Sequence, residues 1–203
     1  MNVFANPASL TEVEAECWRR LQLSVADRDS GWRLPVLATV DARGLRQRTV
    51  VLRGVNADDR IIRAHTDIRS DKIASLRSHP NASWLFYDHR WKSQLQLTGH
   101  ITIHTDDPVA DRLWDEESEQ SLRGFLAPLP PGTRCDGPTV NLPEELRNRS
   151  PERDELAVGR QNFAVLQCNV QSAEWVLLRS DGNLRARFVY VEQNDCLAEW
   201  LAP

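Results

Sequence analysis

The chain has 203 residues, 41% hydrophobic and 27% charged, a balance that suits one packed domain spanning 1–203 and excludes a disordered or membrane-embedded protein. A net charge of -4 and a pI of about 5.8 give no overall attraction to nucleic acid or anionic lipid, so any anion site must be built from a few local Arg and Lys residues. Cys17, Cys135, Cys168 and Cys196 are scattered without a C-x-x-C pair and signal neither zinc nor a disulfide framework. No apolar stretch approaches the roughly 18 residues of a membrane helix, and the opening Met1-Asn2-Val3-Phe4 lacks the basic and apolar regions of a secretory signal. The expected location is the cytoplasm.

Ser9 to Arg28 reads as an N-terminal helix, with Ser9 as cap, Glu12 at capping-box spacing, and Leu10, Val13, Cys17, Leu21 and Val25 at helical steps. Three extended runs follow, Leu34–Val40, Gln47–Val55 and Arg60–Thr66, separated by Gly- and Asp-containing turns. Arg69 to Ser78 returns to helical spacing, with Asp67 placed as its cap and His79-Pro80 as its stop. Ala82–Tyr87 and Gln94–Thr105 are again extended, and in the second Leu95 and Leu97 alternate with Gln94, Gln96 and Thr98. Asp106–Leu122 looks helical. Residues 127–151 carry six prolines, too many for a regular element, and read as a long ordered loop. Asn162–Val170, Glu174–Arg179 and Leu184–Glu192 restore the strand pattern, with Ser180-Asp181-Gly182-Asn183 as a hairpin turn. Many short strands interrupted by three helices argue for a mainly β, closed or split barrel over a doubly wound sheet.

A phosphate ester brings nearly two negative charges and needs several fixed, charge-assisted donors. Arg48 and Arg53 flank Thr49-Val50-Val51-Leu52, and Arg48 shares a pleat face with the apolar Val50 and Leu52. From spacing alone, the simpler reading of Arg48 is a strand-end side chain reaching to water. His65-Thr66-Asp67-Ile68-Arg69-Ser70-Asp71-Lys72 joins a strand end to a helix start, where backbone N–H groups attract anions. Gln94, on the polar face of its strand, offers a donor and an acceptor to a flavin ring edge.

Taken in order, Arg48-x-x-x-x-Arg53, His65-Thr66-x-x-x-Ser70-x-Lys72, Asn81-Ala82 and Gln94-Leu95-Gln96-Leu97-Thr98-Gly99 resemble the FMN-binding pattern of pyridoxamine 5'-phosphate oxidases and their relatives. That pattern runs R-x-V-L-L-K, Y-T-N-x-x-S-R-K, N-P-x-A and R-Q-V-R-V-x-G. Glu174-Trp175 and Leu184-Arg185-Ala186-Arg187-Phe188 look like its W-Q-G and R-L-H-D-R-F segments. The resemblance implies a split barrel of six to eight antiparallel strands with peripheral helices, and a homodimer with FMN at the subunit interface. It also implies hydride or electron transfer between FMN and a small-molecule substrate. By the same resemblance, Arg48, Ser70 and Lys72 hold the FMN phosphate with Arg53 and His65 close by, Thr66, Val50 and Val51 line the flavin, and Gln94 contacts its ring. Trp175 and Arg187 approach from the partner subunit.

The departures concern charge. Asp71 stands where the family has Arg, and Arg53 where it has Lys. Asn183 and Arg185 occupy the positions at which the family's Arg and His hold pyridoxal phosphate, so the expected substrate is another small molecule. Ser118, Ser121 and Arg123, near Trp114, are expected to supply further substrate contacts. The alternative from another class is a flavin- or haem-binding carrier or sensor without specific turnover. The five histidines read as polar surface residues, because His100 and His104, four apart on one strand, lie about 13 Å from each other. Trp84, Trp91 and Trp114 suit either a core or an interaction surface.

Overall fold

The computed structural model describes residues 4, 7–191 and 195–203. Helix α1, Leu10–Ser24, is capped by Ser9, whose hydroxyl accepts the Glu12 amide, and it buries Val13, Cys17, Trp18 and Leu21. It stops short of the expected Arg28 because the Asp27 carboxylate accepts the Asp29 amide in a local turn that competes with the helix. Strands β1 (Val36–Asp41) and β2 (Gly44–Thr49) form a hairpin, with Gly44 supplying the positive φ of its turn.

The run Gln47–Val55, expected as one strand, is divided between β2 and β3 (Gly54–Asn56), and β3 pairs with β4 (Ile61–Asp67). Between them the chain changes partners. Val50 and Leu52 donate to the carbonyls of Pro35 and Arg33 at 3.0 and 2.9 Å, whereas Arg53 donates to Arg63 on β4 at 2.8 Å. Since alternate amides of an extended chain point to opposite sides, the segment leans on β1's side with one set and on β4 with the other.

Helix α2 (Asp71–Ser78) starts from Ser70 rather than from the expected Asp67. The Asp67 carboxylate is occupied instead by Arg69, accepting from its guanidinium at 2.6 Å and its amide at 2.8 Å. Strands β5 (Asn81–Asp88) and β6 (Ser93–His104) follow, then helices α3 (Pro108–Glu116) and α4 (Glu119–Leu122). These two were expected as one helix, but Glu117 is extended (ψ 151°) and Ser118 caps a new turn by accepting the Ser121 amide. Residues 127–151 hold only a short 3-10 turn, Glu144–Leu146, and an unanticipated 3-10 run covers Arg153–Asn162.

Strand β7 (Phe163–Leu177) is continuous where two strands were expected. It pairs with β6 along its length, with β4 through its first half and with β8 (Leu184–Tyr190) through its second. A register shift at Thr98/Gly99 bends the β6–β7 pair, and a Cβ at Gly99 would lie 2.2 Å from the Asn169 carbonyl oxygen, so glycine is required there. Strand β9 (Cys196–Leu201), which no sequence pattern announced, pairs with β8; Glu192, placed in the last expected strand, lies outside the described residues.

Among the described residues the sheet has nine strands in the order β2-β1-β5-β6-β7-β4-β3, with β8 branching from β7 and β9 pairing with β8, one more than the upper expectation because of β9. Its two path ends, β2 and β3, are joined in the chain by residues 50–53 alone, so the sheet curls until its edges meet without a ladder. This is a mainly antiparallel, split barrel. Leu37, Trp84, Leu95, Leu97, Ala173 and Phe188 fill its interior. Trp114, Leu122, Leu126, Leu156, Phe163 and Val165 form a second apolar cluster under α3 and α4.

Candidate functional site

The end of β4 and the start of α2 bring three predicted residues together. The Lys72 ammonium donates to Thr66 Oγ1 at 2.8 Å and to Ser70 Oγ at 2.9 Å, and the two hydroxyl oxygens lie 3.4 Å apart. The Ser70 hydroxyl donates to the Asp67 carbonyl at 2.7 Å. Of the two carboxylates nearby in the chain, Asp67 is committed to Arg69, and Asp71, largely exposed, lies 3.6 Å from Arg43. Arg48 adds a second cation from β2, its Nη1 donating to the buried Thr39 Oγ1 at 2.8 Å. Burial and then the positive charge of Arg48 hold the Lys72 pKa below its ordinary value, against the opposing pull of Asp67 and Asp71. Burial and then Arg46 lower that of Arg48. Among the described residues, neither Arg48 nor Lys72 forms an ion pair.

The β3–β4 register ends at Gly54↔Arg63, where the Arg53 amide also donates to the Arg63 carbonyl, so this pairing does not extend to Val51. The Val51 amide points away from the side on which Val50 and Leu52 donate, and so toward the opening. Val50 lies half-buried at the core's edge.

His65 and Arg53, expected in the same group, belong to the opposite face, because neighbours on a strand point in opposite directions. The His65 side chain is only 7% exposed, meets the Phe163 ring edge-on at 4.8 Å and lies 4.0 Å from Glu117 Oε2. Burial first, then Arg53 and Arg63, push its pKa down to about 3. It is neither a surface histidine nor a cation at neutral pH. Arg53 Nη1 donates to Ser121 Oγ at 3.1 Å and lies 3.2 Å from Glu117 Oε2. Ser121 was anticipated as a neighbour of the site. Glu117 and Thr39 were missed: Glu117 is hidden in an apparently continuous helix, while Thr39 alternates inward with Leu37 and could have been found by that spacing.

Gln94, Arg185 and Arg187 share a third place, the outer face of the long strands, where Gln94 is level with Val176 and Val176 with Arg185. Arg185 pairs with Glu174 at 2.6 Å, and Arg187 reaches Glu174 at 3.7 Å and Glu199 at 3.4 Å. The Asn183 side chain closes the β7–β8 turn by accepting the Arg179 amide at 3.0 Å. Trp175 does not reach this or any surface. It is fully buried, donates to Ser93 Oγ at 3.0 Å and packs on Phe4, so the expected approach to a partner's flavin is corrected to a place in the core. Of the three tryptophans suited to a surface, Trp84 and Trp114 are buried and Trp91 is exposed. His104 Nδ1 lies 2.8 Å from Asp107, and no metal-binding group of His, Cys, Asp and Glu occurs among the described residues. No described helix is long and apolar enough to cross a membrane.

This barrel architecture is that of the FMN-binding split barrels related to pyridoxamine 5'-phosphate oxidase. Residues 15–105 match the family model described as pyridoxamine 5'-phosphate oxidase, FMN-binding domain. The span holds every predicted residue from Arg48 to Gln94 and leaves Trp175, Asn183, Arg185 and Arg187 outside it. In structure the chain is similar to a pyridoxamine 5'-phosphate oxidase-related, FMN-binding protein from Nostoc punctiforme, with TM-score 0.70, 23% identity and coverage of 97% of this chain and 98% of that one. It is also similar to PhzG from Burkholderia lata, in complex with tetrahydrophenazine-1-carboxylic acid, with TM-score 0.65, 17% identity and coverage of 100% and 97%. A general stress protein 26-related protein from Clostridium acetobutylicum gives TM-score 0.55, 11% identity and coverage of 86% and 93%. The sequence matches no curated protein.

Proposed function

We propose that the chain is an FMN-dependent oxidoreductase acting on a small substrate other than pyridoxamine 5'-phosphate, with the FMN phosphate held by Lys72, Ser70, Thr66 and Arg48. The carrying observation is that Lys72 and Arg48 stand half-buried within each other's electrostatic reach, with hydroxyl partners and no ion pair among the described residues, a donor set that suits a dianionic phosphate. The amide of Val51, turned away from the side on which Val50 and Leu52 donate, would serve the ring end. FMN, when bound, supplies hydride or electron-pair exchange, while the protein fixes geometry and charge.

A homodimer fits the remaining residues. Gln94, Arg185 and Arg187 lie away from Lys72 in one protomer, on a face that also exposes Leu85, Tyr87 and Val189. Covering that apolar surface with a second copy offers a way for the outer-face cations to approach the partner's cofactor. Pyridoxamine 5'-phosphate is disfavoured because Asn183 is engaged in its turn and Arg185 by Glu174, where the family uses both positions on that substrate.

The test is the visible spectrum of the purified protein and a fluorescence titration of its apo form with FMN. Stoichiometric flavin binding is expected. A protein that takes up no FMN, or that carries a haem spectrum instead, sinks the reading.

A further inference from the structure

We infer that Arg69 keeps the Lys72 cluster receptive to a phosphate by neutralising Asp67, the carboxylate buried in the turn that builds the cluster. The inference rests on the functional reading above and adds to that site a residue that sets its charge without touching the ligand. Asp67 belongs to the same hydrogen-bonded chain as Lys72. Its main-chain carbonyl accepts the Ser70 amide at 3.1 Å and the Ser70 hydroxyl at 2.7 Å, and that hydroxyl in turn accepts from Lys72 at 2.9 Å. The Asp67 side chain is only 8% exposed, so water screens it little. Its field reaches Lys72, where it pulls the pKa up against burial, and the same field opposes an anion settling on that ammonium. Asp71, the other carboxylate of the segment, is 81% exposed and lies 3.6 Å from Arg43, which leaves its charge to solvent.

Arg69 answers the Asp67 charge from within the turn. Its Nε donates to Oδ1 at 3.0 Å and to Oδ2 at 3.3 Å, and its Nη2 donates to Oδ2 at 2.6 Å, a two-pronged grip on the carboxylate. The same Nη2 donates to the Ala127 carbonyl at 2.9 Å, so the guanidinium is held from a second side. The shape of the turn does not depend on this fork, because the Arg69 amide donates to Asp67 Oδ1 at 2.8 Å, a bond that Asn at 67 or Gln at 69 preserves. Charge and shape are therefore separable here. An unopposed negative charge beside a half-buried cation lowers its affinity for a phosphate by about tenfold or more.

The experiment titrates the apoprotein with FMN and with riboflavin, which lacks the phosphate, by flavin fluorescence in the wild type, Arg69→Gln, Asp67→Asn and the double variant. The wild type is expected to prefer FMN. Arg69→Gln is expected to weaken FMN binding by about tenfold or more and to change riboflavin by less than about threefold. Adding Asp67→Asn to Arg69→Gln is expected to bring FMN back to within about threefold of the wild type, because the charge that needed a partner is gone. Asp67→Asn alone, which releases the Arg69 charge, is expected to bind FMN at least as tightly as the wild type. Equal losses of FMN and riboflavin in Arg69→Gln overturn the inference, since they describe a purely structural residue. So do a double variant no better than Arg69→Gln and an Asp67→Asn protein that binds FMN more weakly than the wild type. The Asp67→Asn result decides alone if Arg69→Gln fails to fold. If the wild type takes up no FMN, or holds riboflavin as tightly, the functional reading falls and this inference with it; if the wild type prefers FMN and the variants leave that preference unmoved, only the inference falls.

Discussion

The two faces of β4 carry cations in opposite states, although Thr66 and His65 are neighbours in the chain. On the inner face, Lys72 leans on two hydroxyls and feels the charge of Arg48, and among the described residues neither forms an ion pair. On the outer face, Arg53 has Glu117 at 3.2 Å, and His65 has given up its charge to burial. A half-buried cation without a counter-charge costs stability, whereas a paired one largely does not. The unpaired group therefore marks the place where an anion is expected, and the paired group a place that is already electrically complete.

The most direct way to break this comparison is Lys72→Met. Losing a charge-assisted phosphate contact should weaken FMN binding by about tenfold to a hundredfold. The apo protein should keep its stability to within about 1 kcal/mol, because the lost hydrogen bonds are offset by relief from burial and from Arg48. Fluorescence titration and urea unfolding read the two effects separately. Unchanged FMN affinity in a folded Lys72→Met protein would mean that the inner face has no use for an anion.

His65 sharpens the outer half of the comparison. Its folded pKa of about 3 lies below the ordinary 6.5, so as pH falls the unfolded chain takes up the proton first. The contribution is complete above about pH 6.5 and is lost progressively down to about pH 3. At about pH 4.5 the wild type should have lost roughly 2–3 kcal/mol through this residue alone. His65→Phe, which keeps a ring against Phe163, should lose that much less between about pH 7 and 4.5 in urea unfolding. Equal losses in the two proteins would show that His65 titrates normally.

The inner cluster was legible because its parts are local: a strand-end Thr66 and a helix-start Ser70-x-Lys72 meet within one turn, and Arg48 comes from an adjacent edge. Applying strand alternation to His65-Thr66 would have separated those two residues at once. The division of Gln47–Val55 was not legible, because both halves have strand composition and only the tertiary partners, Pro35 and Arg33 on one side and Arg63 on the other, decide the break. Trp175 illustrates another limit. An indole with one polar handle suits an interface as well as a core, and the deciding partner, Ser93, lies on another strand. Glu117 required knowing that α3 ends where it does.

The smallest expected effect tests whether the outer-face cations meet the inner-face site across a dimer. Arg187 is about half exposed and shares Glu174 and Glu199 at 3.7 and 3.4 Å, so Arg187→Ala should alter stability by less than about 1 kcal/mol. If Arg187 also faces the partner's flavin, the same change should weaken FMN binding by only about two- to tenfold, because its charge is already shared with two carboxylates and screened by solvent. The loss should depend on protein concentration, since a ligand gripped by both subunits stabilises the dimer by mass action. FMN titrations above and below the dissociation midpoint found by light scattering give the measurement. An Arg187→Ala protein that matches the wild type at both concentrations, or a wild-type monomer that retains FMN stoichiometrically, would leave the two groups of cations as unrelated features of one protomer.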